Sequence, residues 1–189
     1  MSTRVLVAYA TSEGQTARVA EAIGERLAEL GHTVEEVDLR RSMPDPAEFD
    51  GVVLGGSVHA GRFQDELRCY AAAWGPRLNR MPSWFFAVSL SEGIGKGAFT
   101  HENAMRQIDD FLHEVKWTPT EALSVGGALK YREYSWPKRL LMKQIVAKNG
   151  GDTDTSRDWE YTDWDAVKAF AGRVSEGVVS SRRAELSKP

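Results

Sequence analysis

The chain has one cysteine, no apolar run long enough to span a bilayer, and no Cys/His spacing of the kind that holds a metal. Each absence removes a class of protein. A single thiol, Cys69, forms no internal disulfide, which excludes a disulfide scaffold. Set among Leu67, Tyr70 and Ala73, it reads as a buried packing residue. Met1-Ser2-Thr3-Arg4 leads into a strand without an h-region, so a soluble or peripheral, cytoplasmic protein is expected, without bound metal. The glycine-bearing turn near the N-terminus contains no lysine and no G-x-G-x-x-G, which excludes a P-loop and a dinucleotide fingerprint.

With 189 residues and 42% hydrophobic content, the chain supports one substantial core, and a single domain over 1–189 is expected. The net charge of −3 conceals an uneven distribution. Lys130 to Lys148 carries six basic residues and one acid, Glu133, a local +5; the remainder has 18 basic and 26 acidic residues, or −8. This is an acidic body with one basic patch, and no nucleic-acid partner is expected.

The turn that organises the chain is Thr11-Ser12-Glu13-Gly14-Gln15-Thr16. It follows the apolar run Val5-Leu6-Val7-Ala8-Tyr9 and opens a helical pattern with Ala17, Ala20, Ile23, Leu27 and Leu30 on one face. The first turn of a helix has unpaired N–H groups and the positive end of the macrodipole, so the segment before it is an anion site. Thr11, Ser12 and Thr16 add hydroxyls, and Gly14 removes a side chain that would block the backbone. Without lysine, the expected anion is a monophosphate held by neutral donors.

Further along, Gly31 ends the helix and Val34 to Leu39 alternates as a strand. Gly51 to Gly56 is a continuous apolar run, as in a parallel strand covered on both faces. Ser57-Val58-His59-Ala60-Gly61 follows, then a helix from about Gln64 to Trp74. Ser83 to Leu90 reads as a fourth strand, and Ser91 to Gly97 as a flexible loop. Met105, Ile108, Phe111 and Leu112 share one face of a helix from about Glu102 to Val115. Ala122 to Leu129 reads as a fifth strand, and Thr162 as the N-cap of a closing helix through Phe170 and Val174.

Five strands alternating with helices predict an α/β, doubly wound, five-stranded parallel sheet. Ligands of such sheets lie beyond the strands' carboxyl ends at the topological switch point. Three loops meet there: Thr11 to Thr16, Ser57 to Arg62 and Leu90 to Gly97. One carries hydroxyl donors and two carry small residues that admit a flat ring, a combination that suits FMN better than a sugar nucleotide. The cofactor-binding set expected from this placement is Thr11 to Thr16, Ser57, Val58, His59, Ala60, Gly61, Ser89, Leu90, Ser91, Glu92 and Gly93. His59 falls beside the predicted ring and is the one candidate for a chemical role; no other acid or base suggests itself. His32, His101 and His113 read as surface or helix-flanking residues without partners.

The loop resembles the phosphate loop T/S-x-T/x-G-x-T of the flavodoxin-like superfamily, which Thr11, Gly14 and Thr16 match. In that superfamily the loop wraps the FMN phosphate, and the loops after the third and fourth strands flank the isoalloxazine.

About thirty residues, 130–161, separate the fifth strand from the closing helix, where α/β connections are usually about 2–6 residues long. Tyr131, Tyr134, Trp136, Trp159 and Tyr161 argue against disorder, and Leu140 to Val146 predicts an amphipathic helix begun at Pro137. Its basic face suits an anionic ligand or an anionic lipid surface. Leu129 to Trp136, Gly150-Gly151-Asp152-Thr153-Asp154-Thr155 and Tyr161-Thr162-Asp163-Trp164 are similar to the menaquinone-dependent protoporphyrinogen IX dehydrogenases of haem synthesis, as are Glu13 to Thr16 and Met81-Pro82-Ser83.

That resemblance covers nearly the whole chain, and the family carries its long insertion at this place. It implies oxidation of protoporphyrinogen IX through FMN, with menaquinone or a related membrane quinone as acceptor. Tyr131, Arg132, Tyr134, Trp136, Lys138, Arg139 and Lys143 become candidates for contact with the macrocycle, its propionates or the membrane. Two other functions of the fold remain open at this point: a non-enzymatic flavodoxin-type electron carrier and an NAD(P)H or quinone reductase.

Overall fold

The computed structural model describes residues 3–59, 61–94 and 96–187. Strands β1 (Arg4–Ala10), β2 (Thr33–Asp38), β3 (Gly51–Ser57), β4 (Ser83–Ser89) and β5 (Glu121–Gly126) form a parallel sheet in the order β2-β1-β3-β4-β5. β3 and β4 are buried along their whole length, as continuous apolar runs in a doubly covered sheet require. Helices α1 (Gln15–Glu29) and α6 (Trp164–Leu186) cover one face, and α2 (Asp65–Leu78) and α4 (His101–Val115) the other. The first face is filled by Val5, Val7, Ile23, Trp84, Phe86 and Phe170; the second by Leu6, Leu54, Phe85, Phe111 and Trp117. In this order the connections leaving β1 and β3 diverge in opposite directions, which opens a crevice at their carboxyl ends.

Several local expectations change in three dimensions. Leu30 leaves the buried stripe of α1 as its half-exposed C-cap, and Val19 takes a place in the core. The run to Leu129 does not remain one strand: β5 stops at Gly126, and β6 (Ala128–Leu129) pairs antiparallel with β7 (Trp159–Glu160). The segment after β4 is not an open loop, because Leu90–Ile94 forms one helical turn, α3; Gly95 lies outside the described residues. Asp163 rather than Thr162 caps α6, its carboxylate accepting from the Ala166 N–H, while the Thr162 hydroxyl donates to the Gly126 carbonyl at 2.7 Å. Cys69 is exposed, on the outer side of α2.

His32 is not a free surface residue. It is 8% exposed, with Nδ1 2.5 Å from the Thr3 hydroxyl and Nε2 2.7 Å from the Ser175 hydroxyl. Burial lowers its pKa below the ordinary value of about 6.5, against a smaller opposing effect of the Asp50 carboxylate. The unfolded chain therefore takes up this proton more readily than the folded one. The neutral ring's contribution is present above the unfolded value and is lost as pH falls through the lowered folded one. Thermal midpoints followed by calorimetry are expected to fall from pH 7 to pH 5 with a component that His32→Gln removes; an unchanged slope in that variant refutes the assignment.

The insertion forms a third, small core, in which Leu129, Tyr131, Tyr134 and Val146 are buried together. Its helix, α5 (Trp136–Lys148), begins with a proline in the first turn and buries only Val146. Among the described residues no helix is long and apolar enough to cross a membrane.

Candidate cofactor and substrate site

The site begins with the N-terminus of α1. Gly14 is the N-cap in the left-handed conformation (φ 84°), which an L side chain adopts only at a cost. The Thr11 hydroxyl accepts from the Gly14 N–H at 3.0 Å and holds the turn closed. No side chain caps the first turn, and no acidic residue sits in it, so its N–H groups and positive dipole end are open to an anion. Thr16 is fully buried, and its hydroxyl has no hydrogen-bond partner among the described residues. A buried orphan hydroxyl is costly, and one lining a cavity, as Thr16 does, offers a hydrogen bond that a ligand can complete.

Beyond the turn lies a cavity of about 350 Å³. Thr11, Glu13, Gln15, Thr16, Ser57, Val58, His59, Gly61, Ser89, Leu90 and Ser91, all expected at the site, line it. Ala60 lies outside the described residues. Ser12, Glu92 and Gly93 have other roles. The Ser12 hydroxyl accepts from Gln64 Nε2 at 3.2 Å, and Glu92 meets His101 Nδ1 at 2.8 Å, so His101 also has a partner. Gly93 gives close approach to Tyr161 instead of to a ring: a Cβ there would lie 2.3 Å from the Tyr161 Cβ.

Two members of the phosphate loop also turn away from an anion. The Glu13 carboxylate accepts from the Tyr134 hydroxyl at 2.9 Å and from Lys138 Nζ at 2.6 Å. Burial, reinforced by the Glu13 charge, raises the Tyr134 pKa and keeps its phenol a donor. The Gln15 amide donates to the Thr162 hydroxyl and Glu160 at 2.8 and 3.2 Å. Glu13 and Gln15 thus fasten the insertion to the loop, whereas Thr11 and Thr16 line the cavity without such a tie.

Charge also reaches this loop from a distant part of the chain. Lys130 Nζ, paired with Glu133 at 3.4 Å, lies 3.6 Å from where a Cβ on Gly14 would stand. The cradle is therefore not wholly neutral, and only its sequence-local donors are. The residues present fit the FMN phosphate on the chemistry of the donor set and on the orphan Thr16 hydroxyl.

The insertion roofs the cavity. Tyr134, Lys138, Met142 and Ile145 of the insertion line it, together with Phe99 and Gln107. Tyr131 is buried in the small core and donates to the Asp152 carbonyl, away from the cavity. Arg139 donates to the carbonyls of Tyr131 and Tyr134, and Arg132, Trp136 and Lys143 are exposed. His59 sits at the rim, its backbone clasped to Arg62 by two hydrogen bonds. Gln64, which joins Ser12 to Ser57, and Gln107, whose Oε1 is buried without a partner among the described residues, carried no motif. The signal for Gln107 is a polar residue beside the buried Ala104–Ile108–Phe111 stripe of α4. Among the described residues no cluster of three or more His, Cys, Asp or Glu side chains is placed to hold a metal.

Residues 6–156 match the family model described as a flavodoxin domain, four-fifths of the chain. The chain belongs to the flavodoxin domain family. Within this family it is 31% identical over 173 residues to the protoporphyrinogen IX dehydrogenase (quinone) of Escherichia coli K12, covering 91% of this chain and 94% of that protein. A Leishmania major protein of the same name is 32% identical over 173 residues, covering 90% of this chain and 74% of that one. Oxidised flavodoxin 1 of Bacillus cereus shares the flavodoxin fold with a TM-score of 0.56 at 15% identity, over 92% of this chain and 98% of that one.

Proposed function

We propose that this flavodoxin-family chain is an FMN-dependent dehydrogenase that oxidises protoporphyrinogen IX to protoporphyrin IX and passes the electrons to menaquinone or a related quinone, in haem biosynthesis. The observation that carries the reading is the double wall of the cavity, a phosphate cradle at one end and an aromatic, basic roof from the insertion over the rest. It is supported by the two relatives named for this reaction, which the chain covers over most of their length.

When bound, FMN would supply two-electron redox chemistry between macrocycle and quinone, so that removal of the six hydrogens from a porphyrinogen would take three turnovers and reduce three quinones to quinols. Thr11, Thr16 and the first-turn N–H groups of α1 hold its phosphate, with Lys130 adding charge. Ser57, which ends β3, with Val58, His59 and Gly61 after it, and Ser89–Ser91 where β4 passes into α3, position the ring. Phe99, Met142 and Ile145 give apolar contact to a macrocycle and exclude water, and Lys138 offers a cation to a propionate. His59 lies at the rim, within the place from which a proton is exchanged with solvent. Because the acceptor is a lipid, the protein works as a peripheral body on an anionic membrane surface, with the basic insertion turned towards it.

Protein purified with FMN is expected to convert non-fluorescent protoporphyrinogen to fluorescent protoporphyrin, in the presence of a menaquinone analogue, well above the autoxidation rate of a heat-treated control. Equal rates in the two samples refute the reading; FMN retained without turnover then favours the electron carrier.

A further inference from the structure

Helix α5 has two faces of different character. At about 100° per residue, Lys138, Met142 and Ile145 share the side that roofs the cavity, Trp136, Leu140 and Gln144 share the opposite side, and Leu141 lies on the flank between them. The outer side and this flank are apolar where a surface helix should be polar: Trp136 is 75% exposed, Leu140 47% and Leu141 56%. Lys143 and Lys148 flank it, both exposed. The one acid between Lys130 and Lys148 is Glu133, already paired with Lys130. A tryptophan and two leucines bordered by lysines have the chemistry of a helix lying in the headgroup region of an anionic bilayer.

The two ends of the helix are held differently. The C-terminal end is fixed by the buried Val146 and by Asn149, whose Oδ1 accepts from the Ala98 N–H at 2.7 Å. The N-terminal half is tied to the cofactor loop through Glu13, which holds Tyr134 and Lys138, and to the segment before it by Arg139, which donates to the Tyr131 and Tyr134 carbonyls. The Lys138–Glu13 pair is partly exposed, and such pairs exchange readily for another anion.

We propose that α5 is a lid opened by an anionic lipid surface: Trp136, Leu140 and Leu141 enter the headgroup region, the headgroups take Lys138 from Glu13, and the N-terminal half lifts from the cavity. This rests on the reading of the cavity as the FMN and substrate site. It places the opening of the site where a quinone dissolved in the bilayer is found. It makes Glu13 a positioning residue, acting on access through Tyr134 and Lys138.

The test uses the full-length FMN-loaded protein, with vesicles of phosphatidylcholine and phosphatidylglycerol in equal parts or of phosphatidylcholine alone. Wild type is expected to sediment with the anionic vesicles only. Leu140→Glu/Leu141→Glu is expected to stay in the supernatant at the same molecular mass, with its dithionite-reduced flavin reoxidised by a water-soluble quinone at the wild-type rate. Iodide quenching of flavin fluorescence reports lid opening without turnover. It should rise severalfold when anionic vesicles are added to wild type, and in Glu13→Gln it should be high beforehand and unresponsive.

Wild type left in solution, equal binding to both vesicle types, or a double variant that still binds overturns the surface assignment. A double variant that changes from dimer to monomer assigns the face to a second copy and overturns it too. Glu13→Gln behaving as wild type, or loss of FMN from it as seen by absorbance, overturns the latch. None of these readouts contains porphyrinogen, so failure of the proposed reaction is detected separately.

Discussion

Thr16→Val is expected to stabilise the FMN-free protein and to weaken FMN binding in the same molecule. The Thr16 hydroxyl is buried without a partner among the described residues. An unsatisfied hydroxyl of this kind costs about 1–3 kcal/mol. Valine has nearly the same shape and the same β-branching, so helix propensity and packing in the first turn of α1 change little. Removing the orphan oxygen should raise the melting temperature of the FMN-free protein by about 2–12 °C in a chain of this size.

With FMN present the sign reverses. A hydroxyl donating to a phosphate contributes about 1.5–3 kcal/mol, so the variant's FMN affinity should fall by about 10- to 150-fold. Calorimetry of the FMN-free protein and titration by quenching of flavin fluorescence measure the two effects separately. If both quantities move in the same direction, Thr16 is a packing residue and the phosphate lies elsewhere.

Gly126→Ala is expected to cost about 3 kcal/mol and to lower the melting temperature by about 6–12 °C. The methyl group would stand 2.2 Å from the Tyr161 carbonyl oxygen and 2.8 Å from its carbon. These are backbone atoms and have no rotamer into which to withdraw. They belong to a segment fastened here by the Thr162 hydroxyl on the Gly126 carbonyl and by the Tyr161 N–H on Gly127 at 3.0 Å.

Displacing this segment also moves Glu160 and Thr162, the partners of Gln15, so FMN affinity should fall with stability. Gly172→Ala is the control. A Cβ there meets nothing within 4 Å, and the glycine lies inside α6, so this variant should gain about 0.5–1 kcal/mol. Equal melting temperatures for Gly126→Ala and wild type would show that the insertion is not seated on the end of β5.

The alternation of strands and helices was legible because burial on two faces leaves continuous apolar runs, as in Val52 to Leu54 and Trp84 to Val88. The cofactor turn was legible for a local reason: hydroxyls, a glycine and a helix start within six residues. Its side chains were not equally legible. Thr11 to Thr16 reads as one binding set, yet Glu13 and Gln15 point to residues more than a hundred positions away. A carboxylate beside a phosphate cradle makes sense only once Tyr134 and Lys138 stand opposite it. The small residues after β4 show the same limit, since Gly93 serves the approach of Tyr161, a contact that no spacing within its own loop encodes.

By itself the sequence determined the parallel doubly wound sheet, the crevice at the ends of β1 and β3, the hydroxyl-rich turn into α1 and the basic, aromatic character of residues 130–161. These follow from periodicity, propensity and composition, which act over a few residues at a time. Tertiary structure alone decided that the insertion folds back as a roof, that Lys130 brings charge to a turn with no lysine of its own, that His32 is buried, and that α5 faces outward with its tryptophan and two leucines. Each depends on the meeting of residues far apart in the chain, where packing and hydrogen-bond satisfaction, rather than local preference, choose the partner.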